Sequence, residues 1–197
     1  MDVRFRFDFE KVLAAIVFVS SSGIPDLTKY KIGKLLFLAD KFHLVRYGRT
    51  ITGDRICAME YGPVLSQTLD ILNDALANKH EDPRTARLAE QVTINRVYHN
   101  PHFASVADFD PGVYLSKSDL SALKHVLDEH GHKSFEELKA LTHEMFAYKK
   151  AWSERDNSAP TIRYEDLFVE DGDAIEGALE EMQENFALRS AFGAVSL

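Results

Sequence analysis

Apolar residues recur at helical spacing along most of the chain. Phe9, Val12, Leu13, Ile16 and Val17 fall three and four apart on one helix face, and the run halts before Ser20-Ser21-Ser22-Gly23. A second helix is expected from about Asp26, beside Pro25. Its apolar stripe is Tyr30, Leu35, Leu38, Phe42 and Val45, and Gly48 follows as the residue that ends it. Residues 55–61, reading RICAMEY, alternate instead and predict a short strand. Gly62-Pro63 then reads as the opening of a third helix, because proline lacks the N–H that a first-turn residue leaves unpaired. Leu65, Leu69, Leu72 and Leu76 would be its buried stripe.

Residues 92–97 predict a strand, Asn100-Pro101 a turn and 103–109 the hairpin mate. Two capping boxes follow. Ser116 with Asp119 precedes Leu120, Leu123 and Leu127, and Ser134 with Glu137 precedes Leu138, Leu141 and Met145, with Gly131 between. A loop over 153–161 leads to a last helix carrying Ile175, Leu179, Met182 and Phe186 in register. The pattern predicts a mainly α fold, α+β in detail: a compact helical domain with a small antiparallel β element. The expected organisation is one domain over residues 1–161 and an acidic helical extension over 162–197, packed on or beside it.

Composition narrows the function. With 45% hydrophobic and 27% charged residues the chain can bury a core. The apolar run 12–19 is too short to span a bilayer and lacks a cleavage site, so no membrane role is expected. A single cysteine, Cys57, excludes an internal disulfide and suits a reducing, cytoplasmic setting. The formal net charge of −8 argues against general nucleic-acid binding. That charge is uneven, +3 up to residue 60 and −8 from Ala151 onward, so the tail reads either as a solvated helix face or as a dock for a basic partner.

Candidate chemistry is sparse. His125, His130 and His132 cluster, but the five-residue step from His125 to His130 misses the three or four that places two ligands on one helix face. His99 and His102 bracket a turn, and His143-Glu144 lacks a second histidine at the required offset. Cys57 sits in an apolar alternating run and reads as a buried small hydrophobe. No nucleophile elbow, phosphate-binding loop or dinucleotide fingerprint occurs. Neither catalysis nor a cofactor or metal is expected. Lys29, Lys31, Lys34, Lys41, Arg46 and Arg49 could together face phosphates, which keeps a nucleic-acid-binding regulator as a minor alternative.

Residues 34–72 carry an ordered series: Lys34-Leu35-Leu36, Asp40, His43, Tyr47-Gly48-Arg49, Ile51-Thr52-Gly53-Asp54 and Tyr61-Gly62-Pro63-Val64. Thr142-His143 and Trp152 follow downstream. This series resembles the core motif of the Panacea domain family, the SocA-like antitoxins. The family pattern often has proline before that tryptophan, where this chain has Ala151. The resemblance implies an antitoxin that neutralises a cognate toxin by direct contact in a toxin–antitoxin or phage-related setting. It also admits an adaptor that delivers a bound protein to an unfoldase–protease. Two readings of the polar motif members Lys34, Asp40, His43, Arg46, Arg49, Asp54 and Arg55 stay open. One is a buried ion-pair network locking the second helix to the RICAMEY segment; the other is a polar groove that receives a partner segment.

Overall fold

The structure, a computed structural model, describes residues 3–79, 81–96, 101–105, 109–156, 158–169 and 174–193, the last five of them by backbone alone. The helices are α1 (Phe9–Ser20), α2 (Lys29–Tyr47), α3 (Ser66–Leu76), α4 (Pro83–Gln91), α5 (Lys117–His130), α6 (Phe135–His143), α7 (Phe146–Ser153) and α8 (Ala178–Gly193). Two antiparallel pairs, β1 (Ile56–Met59) with β2 (Gly62–Leu65) and β3 (Val92–Asn95) with β4 (His102–Ser105), and 3-10 turns at Pro111–Val113 and Tyr164–Phe168 accompany them. The fold is mainly α with a small β element, as the apolar pattern predicts.

Local signals act where the sequence places them. Asp8 caps α1 by accepting the Lys11 amide at 3.2 Å. Both capping boxes form: Ser116 and Asp119 exchange hydrogen bonds at the start of α5, and Ser134 and Glu137 do so at the start of α6. Gly48 ends α2 in the left-handed region (φ 62°) and donates its amide to the Leu44 carbonyl.

Three expectations need correction. α2 starts after Asp26, which sits in a turn at φ 54°; Thr28 is the N-cap and accepts the Lys31 amide. Gly62-Pro63 do not open a helix. They begin β2, with Ile56 opposite Leu65 and Ala58 opposite Pro63, and the helix waits until Ser66. A strand at a sheet edge tolerates proline because the missing N–H costs no ladder bond there. Ile175 precedes α8 and stays half-exposed, while its amide donates to the Val45 carbonyl at the end of α2. α4 was not anticipated, although Asp82-Pro83 is a recognisable N-cap with proline at the first helical position. His99, Asn100 and the middle of the 103–109 strand lie outside the described residues.

α2 organises the molecule. It packs against α1, α3, α5, α6, α8 and the β1–β2 hairpin. Ile32 and Leu35 through Leu38 are therefore buried, and so are Lys31, Lys34, Asp40 and His43. A helix packed around most of its circumference has little solvent face on which to put its polar residues. Each must find a partner inside or carry the cost of an unpaired buried polar group.

Residues beyond Thr161 belong to the same core. The Ala58 amide donates to Pro160 and the Ile162 amide to Ile56, both at 2.8 Å, so this segment adds to the outer edge of β1. Ile162, Tyr164, Leu167 and Met182 are buried in the cluster that contains the α2 side chains. No helix among the described residues is long and apolar enough to cross a membrane.

Candidate functional site

The polar motif residues divide into two groups, and the first is consumed by the scaffold. Asp40, fully buried, accepts the amides of Ile51 at 2.8 Å and Thr52 at 3.0 Å as well as the Thr52 hydroxyl. It thereby fixes the loop that follows α2. Burial, with neighbouring Asp54 adding to it, pushes the Asp40 carboxyl up to about 7 against the opposing hydrogen bonds. Asp54 accepts the Gln67 amide at 3.1 Å, and the Thr68 amide at 2.7 Å and hydroxyl at 2.8 Å. It caps α3 from outside the helix. The Tyr164 hydroxyl donates to the Asp54 carbonyl at 2.7 Å and ties the chain beyond Thr161 to this loop.

His43 and Arg49 meet at Asp119. The His43 Nδ1–H donates to the Arg49 carbonyl at 2.8 Å, leaving Nε2 3.0 Å from Ser118 Oγ and 3.1 Å from Asp119 Oδ1. Arg49 Nη1 lies 3.0 Å from the same oxygen, and Lys11 Nζ 2.9 Å from Oδ2. Burial opposes the Asp119 charge, but the Lys11 bond, the Ser116 amide and Arg49 overcome it and hold the carboxyl below its usual range. Burial, together with the Arg49 and Lys11 charges, lowers His43 to about 4. The ring is thus neutral near pH 7, and Ser118 donates to Nε2.

This arrangement revises the ion-pair reading. Asp40 and Asp54 hold backbone amides and hydroxyls, not cations. The ion pairs at Asp119 join Lys11 of α1 and Arg49 of the loop after α2 to α5, and none of them reaches residues 55–61. Of the other two, Arg46 lies over the Phe42 ring at 4.5 Å, and exposed Arg55 donates to Ser66 Oγ at 3.2 Å. The basic stripe loses two of its six cations for a related reason: Lys31 and Lys34 are buried and donate to the carbonyls of Pro25 and Pro63.

The second group converges around the β1–β2 turn. Lys34 Nζ donates to the Pro63 carbonyl at 2.8 Å, with Thr142 and His143 of α6 close by. Gly62 sits between them at φ +96°, where a Cβ would lie 2.5 Å from Lys34 Nζ and 3.0 Å from both Thr142 Oγ1 and His143 Cδ2. Only glycine satisfies both the backbone and the space. His143 stacks on Tyr148 at 4.5 Å, and Tyr148 stacks on Trp152 at 5.8 Å. The Tyr148 hydroxyl donates to the Met59 carbonyl at 2.9 Å. Thr142-His143 and Trp152, about eighty and ninety residues downstream of the turn, therefore brace it, Trp152 through Tyr148. Ala151 lets α7 continue through this ladder, and the helix ends only at Ser153. Burial, reinforced by the Lys139 charge, lowers Lys34 to about 7.

Over this braced turn lies an aromatic face. Tyr61 is 49% exposed and Tyr30 41% exposed. Their ring centroids are 6.5 Å apart, and Phe135 is 5.5 Å from Tyr30 and 6.5 Å from Tyr61. Lys29 Nζ stands 4.7 Å over Tyr30 and Lys139 Nζ 5.0 Å over Tyr61. A cavity of about 70 Å³ opens among these rings, Lys34, Pro63 and Leu69, and an open groove of about 510 Å³ adjoins it, sharing Tyr30 and Phe135. Sequence reasoning placed Tyr30 in a buried stripe and overlooked Phe135, Lys139 and Asp119. A buried capping-box carboxylate carries no sequence signal of its burial, and Phe135, three residues before Leu138, falls in the same apolar register and so reads as core.

Cys57 is buried, and burial raises its thiol. His125 stacks on Phe42 at 4.1 Å, and among the described residues no group of three His, Cys, Asp or Glu is placed to hold a metal. The searches of curated proteins and of solved structures each found no match. The family model described as antitoxin SocA-like, Panacea domain, matches residues 32–152, a stretch that holds every motif residue described above. More than half of its length lies within that match, and the chain belongs to the SocA-like antitoxin, Panacea domain, family.

Proposed function

We propose that this protein is an antitoxin that neutralises a cognate toxin in the cytoplasm by direct, non-catalytic binding, within a toxin–antitoxin or phage-related system. The observation that carries the reading is the division of the motif. Asp40, His43, Arg49 and Asp54 are spent inside the scaffold, whereas Lys34, Gly62, Pro63, Thr142, His143 and Trp152 brace a turn that presents Tyr61 beside Tyr30 and Phe135. Exposed tyrosines around a small apolar cavity are the composition of an interface hot spot, because they bury large area at low entropy cost.

Co-expression with the neighbouring open reading frame tests this. The neighbour should be toxic alone, tolerated with this protein and co-purified with it. Tyr61→Ala with Phe135→Ala should restore toxicity and abolish co-purification while the circular dichroism stays unchanged. A harmless neighbour that never co-purifies would overturn the reading. Delivery of the bound toxin to an unfoldase–protease is the second reading, favoured by the solvent-facing Glu180, Glu181 and Glu184 of α8. Their replacement by glutamine should stop toxin turnover without weakening toxin binding; unchanged turnover would remove it.

A further inference from the structure

Residues 3–7 run alongside the loop after α2, where the Asp8 amide donates to the Thr52 carbonyl at 2.9 Å. Alternation along this segment turns Arg4 and Arg6 to solvent and Phe5 and Phe7 inward. Phe5 meets the Tyr164 ring edge-on at 4.9 Å. Between this segment, Arg55 and residues 161–164 lies a cavity of about 300 Å³. Three exposed guanidinium groups border it, those of Arg4, Arg55 and Arg163, each from a different stretch of chain. An adjoining cavity of about 240 Å³ shares Phe5 and Gly53 with it and adds Arg6, Lys11 and Arg49.

Among the described residues, carboxylates beside these six cations are engaged: Asp119 is buried under Lys11 and Arg49, Asp8 is occupied as the α1 cap, Glu165 stands 3.8 Å from Arg163 Nε, and Asp40 and Asp54 are buried on backbone amides. The exposed charge on this face is thus mainly cationic, on a chain whose formal charge is −8. Such a concentration focuses an anion-attracting field, and arginine forks match carboxylates in a bidentate way.

We infer that this arginine-bordered cavity is a docking site for an acidic segment of a protein partner. Nucleic acid fits the face less well. A long polyanion would extend over the acidic remainder of the surface, on a chain whose formal charge is −8. The cavity shares no lining residue with the aromatic face, so the two surfaces can be tested apart.

Fluorescence polarisation of a labelled hexaglutamate peptide against the full chain tests the site. The peptide should bind at low salt and weaken as salt screens the pair. Arg55→Glu with Arg163→Glu should weaken it by about tenfold or more, as expected when two exposed carboxylate-binding cations are reversed. Lys29→Glu with Lys139→Glu, on the aromatic face, should change it by less than about twofold because screening limits longer-range effects. No peptide binding, an equal loss in both variants, or tighter binding of an oligothymidylate of the same charge would each overturn the proposal. Circular dichroism of the variants confirms that folding is intact.

Discussion

The Asp54 carboxylate holds both the amide and the hydroxyl of Thr68, at 2.7 and 2.8 Å, and so caps a helix to which it does not belong. The loop after α2 and the first turn of α3 are joined through this one buried side chain, which also accepts the Gln67 amide. Asp54→Ala would leave two helix-start amides unpaired in the interior. The expected loss is about 2–3 kcal/mol, read by urea unfolding, and Asp54→Asn should cost less because its amide oxygen still accepts. Equal stability of Asp54→Ala and the native protein would show that α3 is capped by other means.

Lys34 is buried, and its folded-state pKa, about 7, lies below the usual 10.5. The unfolded chain therefore binds more protons between those values, and this group's contribution to stability rises as pH increases from about 7 to 10.5. Lys34→Met keeps the length of the stem and removes the charge. It should flatten that slope and leave the protein as stable or more stable by about 1 kcal/mol at neutral pH, despite the lost bond to Pro63. Urea midpoints measured across that range decide it; an unchanged slope would mean that Lys34 does not titrate there.

At the Asp119 hub the same sign holds in a lower pH window. The His43 ring is lowered from 6.5 to about 4, so its contribution is present above 6.5 and lost as the solution is acidified toward 4. Asp40, raised from 3.8 to about 7, acts in the opposite direction, losing its contribution as pH rises through that window. Comparing His43→Gln with the native protein isolates the histidine: the variant should lose less stability between pH 6.5 and 4. Asp119→Ala should cost about 3 kcal/mol near neutral pH, because it strips the shared partner from Lys11 and Arg49, and the cost should shrink on acidification since the folded carboxyl is held below its usual range.

Gly62→Ala should lower stability by about 1–3 kcal/mol, since the residue combines positive φ with contact against Lys34. Near-native thermal unfolding would show that the turn can relax.

Ending the chain at Thr161 should destabilise the whole fold, not merely remove an acidic appendage. It would remove the Ile162 bond to Ile56 of β1, take away the Tyr164 bond to Asp54 and expose core against Ile162, Leu167 and Met182. The test is cooperative unfolding of the shortened protein beside the full chain. An unaltered midpoint would show that the extension contributes nothing to the core.

Elements with local causes were legible in the sequence. The capping boxes at Ser116 and Ser134 and the left-handed stop at Gly48 depend on residues within a few positions of one another. Gly62-Pro63 was misread for the complementary reason. The dipeptide suits a helix start or an edge strand equally, and the choice was made by pairing with residues 56–59 and by Lys34 reaching the Pro63 carbonyl.

The motif that runs from Lys34 to Trp152 determined the family, and the hydrophobic period determined a helical fold with a minor β part. Which motif residues are structural and which support a surface was decided only by tertiary packing. Packing around most of α2 removed water from Asp40 and His43 and forced them to find partners many positions away, while the same packing left Tyr30, in its first turn, and Tyr61 facing out. Spacing within one element can be read along a chain, but the burial that sets a polar group's partner and charge depends on contacts between elements.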